Sequence, residues 1–146
     1  MKRGLIYHVD IVVSDFVKSA KFYEGFLNWM GYRGIGYWEK EKVAGWGMRG
    51  CNVWVSERED RFAQHEYHRK HVGVNHIAFH ADTREAVDEF HMEYLSPNRI
   101  RVLYGGPKEH QEYSKGYYAV YFEDPDRMKL EFAYVPVFRG FERTSR

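Results

Sequence analysis

The run Leu5-Ile-Tyr-His-Val-Asp-Ile-Val-Val13 is apolar and β-branched, with charge only at Asp10. Strand-forming residues in an unbroken row predict a buried strand. Ser14 and Asp15 follow with side-chain oxygens suited to capping a helix. Phe16, Ala20, Tyr23, Leu27 and Met30 then recur by four and three, the spacing of one helical face. Gly31 is a natural stop. Residues 34 to 56 are rich in Gly, Trp and Tyr, and two or three strands are expected there, the last over Cys51 to Ser56. Residues 58–71 are polar and read as a connection holding at most a short helical turn.

The same order then returns. Val72 to His80 predicts a strand, Asp82 or Thr83 a cap, and a helix runs through Leu95 to end at Ser96-Pro-Asn98. Arg99 to Tyr104 predicts a strand, Gly105 to Gly116 a long polar loop, and Tyr117 to Phe122 a strand. Glu123 to Asp126 is a turn, and Met128 to Val135 the closing strand. His8 and His76, Asp15 and Thr83, Phe22 and Phe90, and Leu27 and Leu95 are each 68 residues apart. A constant offset across strand, cap and helix marks two copies of one module, about 5–57 and 72–135. The expected architecture is an α+β domain of two βαβββ modules. Each sheet buries one face under its helix and turns the other toward a cavity. The tail 136–146 is basic and aromatic, without an assigned role.

Composition narrows the function classes. A chain of 146 residues with 44% hydrophobic and 18% aromatic content can build a good core. A net charge of +1 gives no pull toward nucleic acid or membrane. No stretch approaches the roughly 20 apolar residues of a membrane-spanning helix, and the first residues lack the apolar region of a signal peptide. The one cysteine, Cys51, rules out an intrachain disulfide and fits a reducing compartment. A cytoplasmic setting is expected.

The repeat also carries chemistry. On the last strand, alternation puts Leu130, Phe132 and Tyr134 on one face and Glu131 on the other. With the apolar set under the helix, Glu131 points into the cavity, where a carboxylate is costly unless paired or metal-bound. His8 and His76 project into the same space from the first strand of each module. Two imidazoles and a carboxylate suit a divalent metal with open positions for substrate.

These residues resemble the vicinal oxygen chelate superfamily, which includes glyoxalase I, fosfomycin-modifying enzymes, bleomycin-binding proteins and extradiol dioxygenases. The resemblance spans about residues 5–135. It rests on His8 with Val-Ser-Asp15 and the Ser19-Ala-Lys-Phe22-Tyr23…Leu27 helix, on Gly73-Val-Asn-His76-Ile-Ala-Phe, on Gly116-Tyr-Tyr-Ala-Val-Tyr-Phe122, and on Asp124-Pro-Asp followed by Lys129-Leu-Glu131. It implies that His8, His76 and Glu131 bind one divalent metal (Fe, Mn, Ni or Zn), and that two chains pair as a homodimer. The site then lies within one chain or is shared between two. The chain departs from the pattern twice. The fourth ligand of metal-dependent glyoxalase I falls near Val53, within Asn52-Val53-Trp54, and Glu57 lies roughly 13 Å further on. The glycine usual after Asp-Pro-Asp is Arg127.

Further candidates surround this set. His80 shares His76's face and is a possible general base or supporting donor. Tyr113, Lys115 and Tyr118 sit near the last strands, where a phenol and an ammonium can hold an oxyanion. Trp54, with the other aromatics from Tyr32 onward, is a candidate pocket wall. Asp10 shares His8's face. His65, His68 and His71 step by three in the connection, where a solvated role is the simpler reading. The expected function is a glyoxalase-like lyase or isomerase that binds adjacent substrate oxygens and stabilises an enolate or oxyanion. Extradiol dioxygenase and fosfomycin-type thiol transfer are the enzymatic alternatives. A metal-free, bleomycin-type binding protein is the alternative from another class.

Overall fold

The computed structural model describes residues 4–136; the tail beyond Pro136 lies outside the described residues. The chain forms two compact units, residues 4–71 with 124–128, and residues 72–123 with 129–136. The first unit orders β1 (His8–Val13), α1 (Phe16–Trp29), β2 (Arg33–Trp38), β3 (Val43–Met48) and β4 (Cys51–Glu57). The second orders β5 (His76–Ala81), α2 (Arg84–Glu89), β6 (Val102–Glu109), β7 (Tyr118–Glu123) and β8 (Lys129–Tyr134). Their sheets have the same plan, β1-β4-β3-β2 and β5-β8-β7-β6, with the first strand parallel to the last and the other pairs antiparallel. This is the α+β fold of two βαβββ modules.

Local chemistry sets the elements. Asp15, in extended backbone, accepts a hydrogen bond from Lys18 N at 3.0 Å and starts α1. Gly31 stops it at φ 94°, where the left-handed backbone favours glycine, and Tyr32 N reaches back to Leu27 O. Phe16, Ala20, Tyr23, Phe26 and Leu27 are buried with Ile11, Val13, Ala44, Trp46, Val53 and Val55 of the sheet. In the second unit Thr83 is the cap, accepting from Ala86 N at 3.1 Å. Its helical core centres on Phe90, whose ring lies 5.3 Å edge-on from both Phe122 and Phe132.

The structure differs from expectation in three elements. The second helix is α-helical only to Glu89 and widens into π-helical turns over Phe90–Leu95. The expected loop from Gly105 is strand as far as Glu109, because β6 absorbs Gly105, Gly106 and Pro107 as an irregularity against β7. Positive φ at Tyr104, Gly105 and Gly106 carries that bulge. Lastly, the turn 124–128 belongs with the first unit. Asp124 Oδ2 accepts from Tyr23 Oη at 2.8 Å, and Asp126 bonds Ser14 through both N and Oγ. The connection contains a single 3-10 turn, Asp60–Phe62. Among the described residues no helix is long and apolar enough to cross a membrane.

Candidate functional site

β8 pairs with both β5 and β7, so Glu131 stands opposite Ala78 on one side and Tyr121 on the other. Leu130 and Phe132 point under the helix. Glu131 takes the open face, yet it is only 1% exposed because tyrosines roof it. Tyr117 Oη donates to Glu131 Oε1 at 2.7 Å, and Tyr121, opposite Glu131 in the sheet, is electrostatically coupled to the same carboxylate. Burial, then the neighbouring carboxylate, raises the pKa of both phenols, so they stay protonated and act as donors.

His76, at the start of β5, brings Nε2 to 3.1 Å from Glu131 Oε2. Its other nitrogen, Nδ1, is 2.8 Å from Asn75 Oδ1. An amide oxygen only accepts, so Nδ1 is the donor. In the neutral ring Nε2 then carries a lone pair aimed at a carboxylate oxygen. Two acceptors at that separation repel unless a cation sits with them, either a second ring proton or a metal ion. Two donors that share one ion at roughly 2.1 Å each stand about 3 Å apart in octahedral and about 3.4 Å apart in tetrahedral coordination. The pair fits a divalent ion chemically and in spacing. The His76 side chain is 35% exposed, which leaves an approach from solvent.

His8 holds the matching position on β1, exposed, with its ring 5.7 Å edge-on from Tyr7. Among the described residues no three His, Cys, Asp or Glu side chains converge on one point. The structure thus brings together two of the three expected donors, and they are those of the second unit. The fourth-ligand slot is also sharpened by register. Glu131 pairs with Ala78, two residues after His76; the first-unit counterpart of Ala78 is Asp10, whose partner is Trp54. Of the stretch Asn52-Val53-Trp54, Trp54 fills that slot. Val53 points under α1 and is 3% exposed. Glu57 is taken up by Lys42 and by Phe16 N at 3.0 Å, contacts that hold its carboxyl below the usual range.

Trp54 lies over Gly45, where an added Cβ would stand 2.4 Å from the indole, and stacks on Trp38 with centroids 6.1 Å apart and planes at 19°. Asp10 Oδ1 accepts from Ser56 Oγ at 3.1 Å. His80 sits opposite Ala133 on an exposed position of β5. Tyr118 lies on the helix side of β7: its hydroxyl donates to Asp88 Oδ1 at 2.7 Å, and the Arg84 guanidinium covers its ring at 4.4 Å. Tyr113 and Lys115 are in the turn after β6, both exposed. The tyrosines that touch Glu131 are Tyr117 and Tyr121, which the sequence reading passed over. The available signal was alternation: Tyr121 shares a face with Ala119, opposite Ala133, on Glu131's side.

The sequence reading also missed His110. It is 5% exposed, and its ring lies 5.3 Å from Tyr121, 6.3 Å from Tyr117 and 5.6 Å from Tyr113. Separately, a cavity of about 1030 Å³ opens in the first unit beside Val12, Ser56, Arg58, His65, His68 and Arg127. The His68 and His71 rings are 5.0 Å apart there. None of His8, His76 or Glu131 lines it.

Comparison with known proteins agrees with the fold. Residues 5–132 match the family model of the Glyoxalase/Bleomycin resistance protein/Dioxygenase superfamily. The uncharacterized protein YqjT of Bacillus subtilis is 34% identical over 128 residues, 86% of this chain and 95% of that one. A candidate glyoxalase from Bacillus halodurans superposes with a TM-score of 0.78 at 31% identity, covering 91% of this chain and 97% of its own. The fosfomycin resistance protein FosX of Listeria monocytogenes has a TM-score of 0.66 at 22% identity, covering 94% and 97%. A lactoylglutathione lyase from Agrobacterium tumefaciens has 0.65 at 19%, covering 92% and 96%. At these last identities the likeness is one of fold.

Proposed function

The chain belongs to the Glyoxalase/Bleomycin resistance protein/Dioxygenase superfamily, and from that premise we propose that it is a glyoxalase-like lyase or isomerase acting at His76 and Glu131 with a divalent metal. The observation that carries this is the 3.1 Å approach of His76 Nε2 to Glu131 Oε2, with Nδ1 already donating to Asn75. When bound, such an ion would supply Lewis-acid chemistry to a substrate with two adjacent oxygens. Glu131 and His76 hold it. Tyr117 and Tyr121 fix the carboxylate's orientation, and Asn75 fixes the imidazole's tautomer.

His8 is the proposed third donor, brought to the pair by a second copy of the chain. The apolar residues leading into both histidine strands support this pairing. Leu5, Ile6 and Tyr7 before His8, and Val72 and Val74 before His76, are exposed. Exposed apolar residues clustered in this way within each unit commonly mark an interaction site.

The substrate class is an α-oxo adduct with two neighbouring oxygens. The test is turnover by metal-restored protein on methylglyoxal–thiol adducts, fosfomycin with thiols, and catechols. Turnover of the adducts is expected, lost with a chelator and in Glu131→Gln. Turnover of fosfomycin or a catechol instead would move the reaction to thiol transfer or ring cleavage.

A second reading has its own observation. The stacked Trp38 and Trp54, the first 45% exposed, suit sequestration of a planar aromatic ligand. Tight binding of such a ligand by metal-free protein, with no turnover in the panel, would favour it.

A further inference from the structure

Lys129 opens β8 on the same face as Glu131, which follows two residues later. It is also the partner of His76 across the sheet. Their Cα atoms pair between β5 and β8, and neighbouring strands lie about 4.8 Å apart. The two side chains therefore rise next to each other from the open face. Tyr121 ties the three residues together. It stands opposite Glu131 in the sheet, its ring meets the His76 ring edge-on at 6.1 Å, and the Lys129 ammonium lies over that ring at 5.2 Å. Tyr104 adds a second ring, 6.0 Å from the same ammonium. His110, with Nδ1 2.9 Å from Glu112 Oε1, packs edge-on against Tyr117 and Tyr121 and steadies the ring that carries Lys129.

What this ammonium lacks is an anion. Lys129 is half-buried, and a partly desolvated charge ordinarily pairs with a carboxylate. Glu123 stands opposite it on β7, yet that carboxylate goes to Arg101 Nε at 3.2 Å. Glu131 is held by His76 and Tyr117. Among the described residues no carboxylate and no hydrogen-bond acceptor is placed on Lys129 Nζ, and the two phenol rings are its partners. Aromatic faces stabilise a cation without accepting its three N–H donors in ordinary hydrogen bonds. Tyr104 is 52% exposed, so those donors are reached from solvent, as the His76 imidazole is.

We propose that Lys129 binds a carboxylate of the substrate, carried beyond the two oxygens that approach His76 and Glu131. This rests on the function proposed above and narrows its substrate class to α-oxo compounds that are also acids. Charge supports the assignment. A divalent ion held by one carboxylate and a neutral imidazole, with an ammonium alongside, leaves an excess of positive charge that an acidic substrate neutralises. A single ammonium matches a singly charged carboxylate, and the two rings beneath it fix where that carboxylate sits. Lys129 is thus a specificity residue: it touches the substrate away from the reacting carbons, and no bond is made or broken at it.

Two hydroxamates test this without knowledge of the substrate. Butyrohydroxamic acid and succinic acid monohydroxamate offer the same pair of adjacent oxygens and differ only in that a carboxylate replaces a methyl group. Calorimetry on Ni²⁺-loaded protein gives the affinity of each. The wild type is expected to prefer the carboxylated compound about tenfold, the gain from one hydrogen bond between charged groups. Lys129→Gln should erase that preference while still binding butyrohydroxamic acid, and Lys129→Met serves if the glutamine variant does not fold. Lys129→Arg should keep the preference, a rescue by charge that a packing role would not give. A wild type without the preference, or a Lys129→Gln variant that retains it, would overturn the role of Lys129 and leave the metal site standing. Failure of the wild type to take up Ni²⁺ would overturn the metal site, and this proposal with it.

Discussion

Glu131 shows how a single buried carboxylate organises its neighbours. At 1% exposure it is tolerable only with partners, and Tyr117, Tyr121 and His76 supply them. In the proposed site the two tyrosines would act on the ion through Glu131. Tyr117→Phe and Tyr121→Phe are each expected to weaken Ni²⁺ binding about 10- to 100-fold while the chain stays folded. Calorimetric titration with circular dichroism on the same samples checks this, and unchanged affinity in both variants would leave the phenols a packing role. Asp124 is the opposite case, a carboxylate strained by its burial. Desolvation raises its pKa from 3.8 to about 6, against the lowering effect of the Tyr23 hydroxyl and the Met128 and Asp126 amides. Because the folded value lies above the unfolded one, this contribution to stability is full below pH 3.8 and is lost as pH rises through about 6. The difference corresponds to about 3 kcal/mol. Denaturant midpoints of wild type and Asp124→Asn across that range should therefore move in favour of the variant as pH rises. A difference independent of pH would contradict the assignment.

At the level of elements, turns and flat surfaces depart from local preference. Arg127 replaces the glycine expected after Asp-Pro-Asp and sits at φ 65°. The turn forms regardless, because Asp124 Oδ1 accepts from Asp126 N and Met128 N at 2.9 and 2.8 Å. Arg127→Gly should relieve the left-handed strain and raise stability by about 1 kcal/mol, read from the denaturant midpoint; no gain would mean that the arginine side chain offsets the strain. Gly45→Ala should do the reverse, since its Cβ would stand 2.4 Å from the Trp54 indole. A loss of about 1–3 kcal/mol is expected, together with a changed tryptophan emission.

These elements also explain what was legible in the sequence. Strand, cap and helix recur with local signals at a fixed offset, and Glu131's face follows from alternation along one strand. Register is non-local, so the sequence left the slot open between Val53 and Trp54, and the pairing of Asp10 with Trp54 selects the tryptophan. The strand through Gly105, Gly106 and Pro107 was hidden because its residues are those of a loop. His110 was invisible because nothing local separates a buried, carboxylate-held imidazole from a surface histidine.

For the whole molecule, the family and the fold follow from the match over residues 5–132 and from the repeated sheet plan. Pairing of two copies is proposed. Sedimentation should report a dimer, and Val74→Asp with Ile6→Asp should shift it toward monomer while lowering metal affinity. A monomeric wild type with intact metal binding would remove the second copy from the site.

The central claim is that His76 and Glu131 seat a divalent ion. The most direct measurement is calorimetric titration of chelator-treated protein with Ni²⁺, beside His76→Ala, Glu131→Ala and His8→Ala. The account predicts about one ion per chain for the wild type, binding abolished in His76→Ala and Glu131→Ala, and binding weakened in His8→Ala. Wild type that takes up no ion, or a Glu131→Ala variant that binds as tightly as wild type, would contradict it.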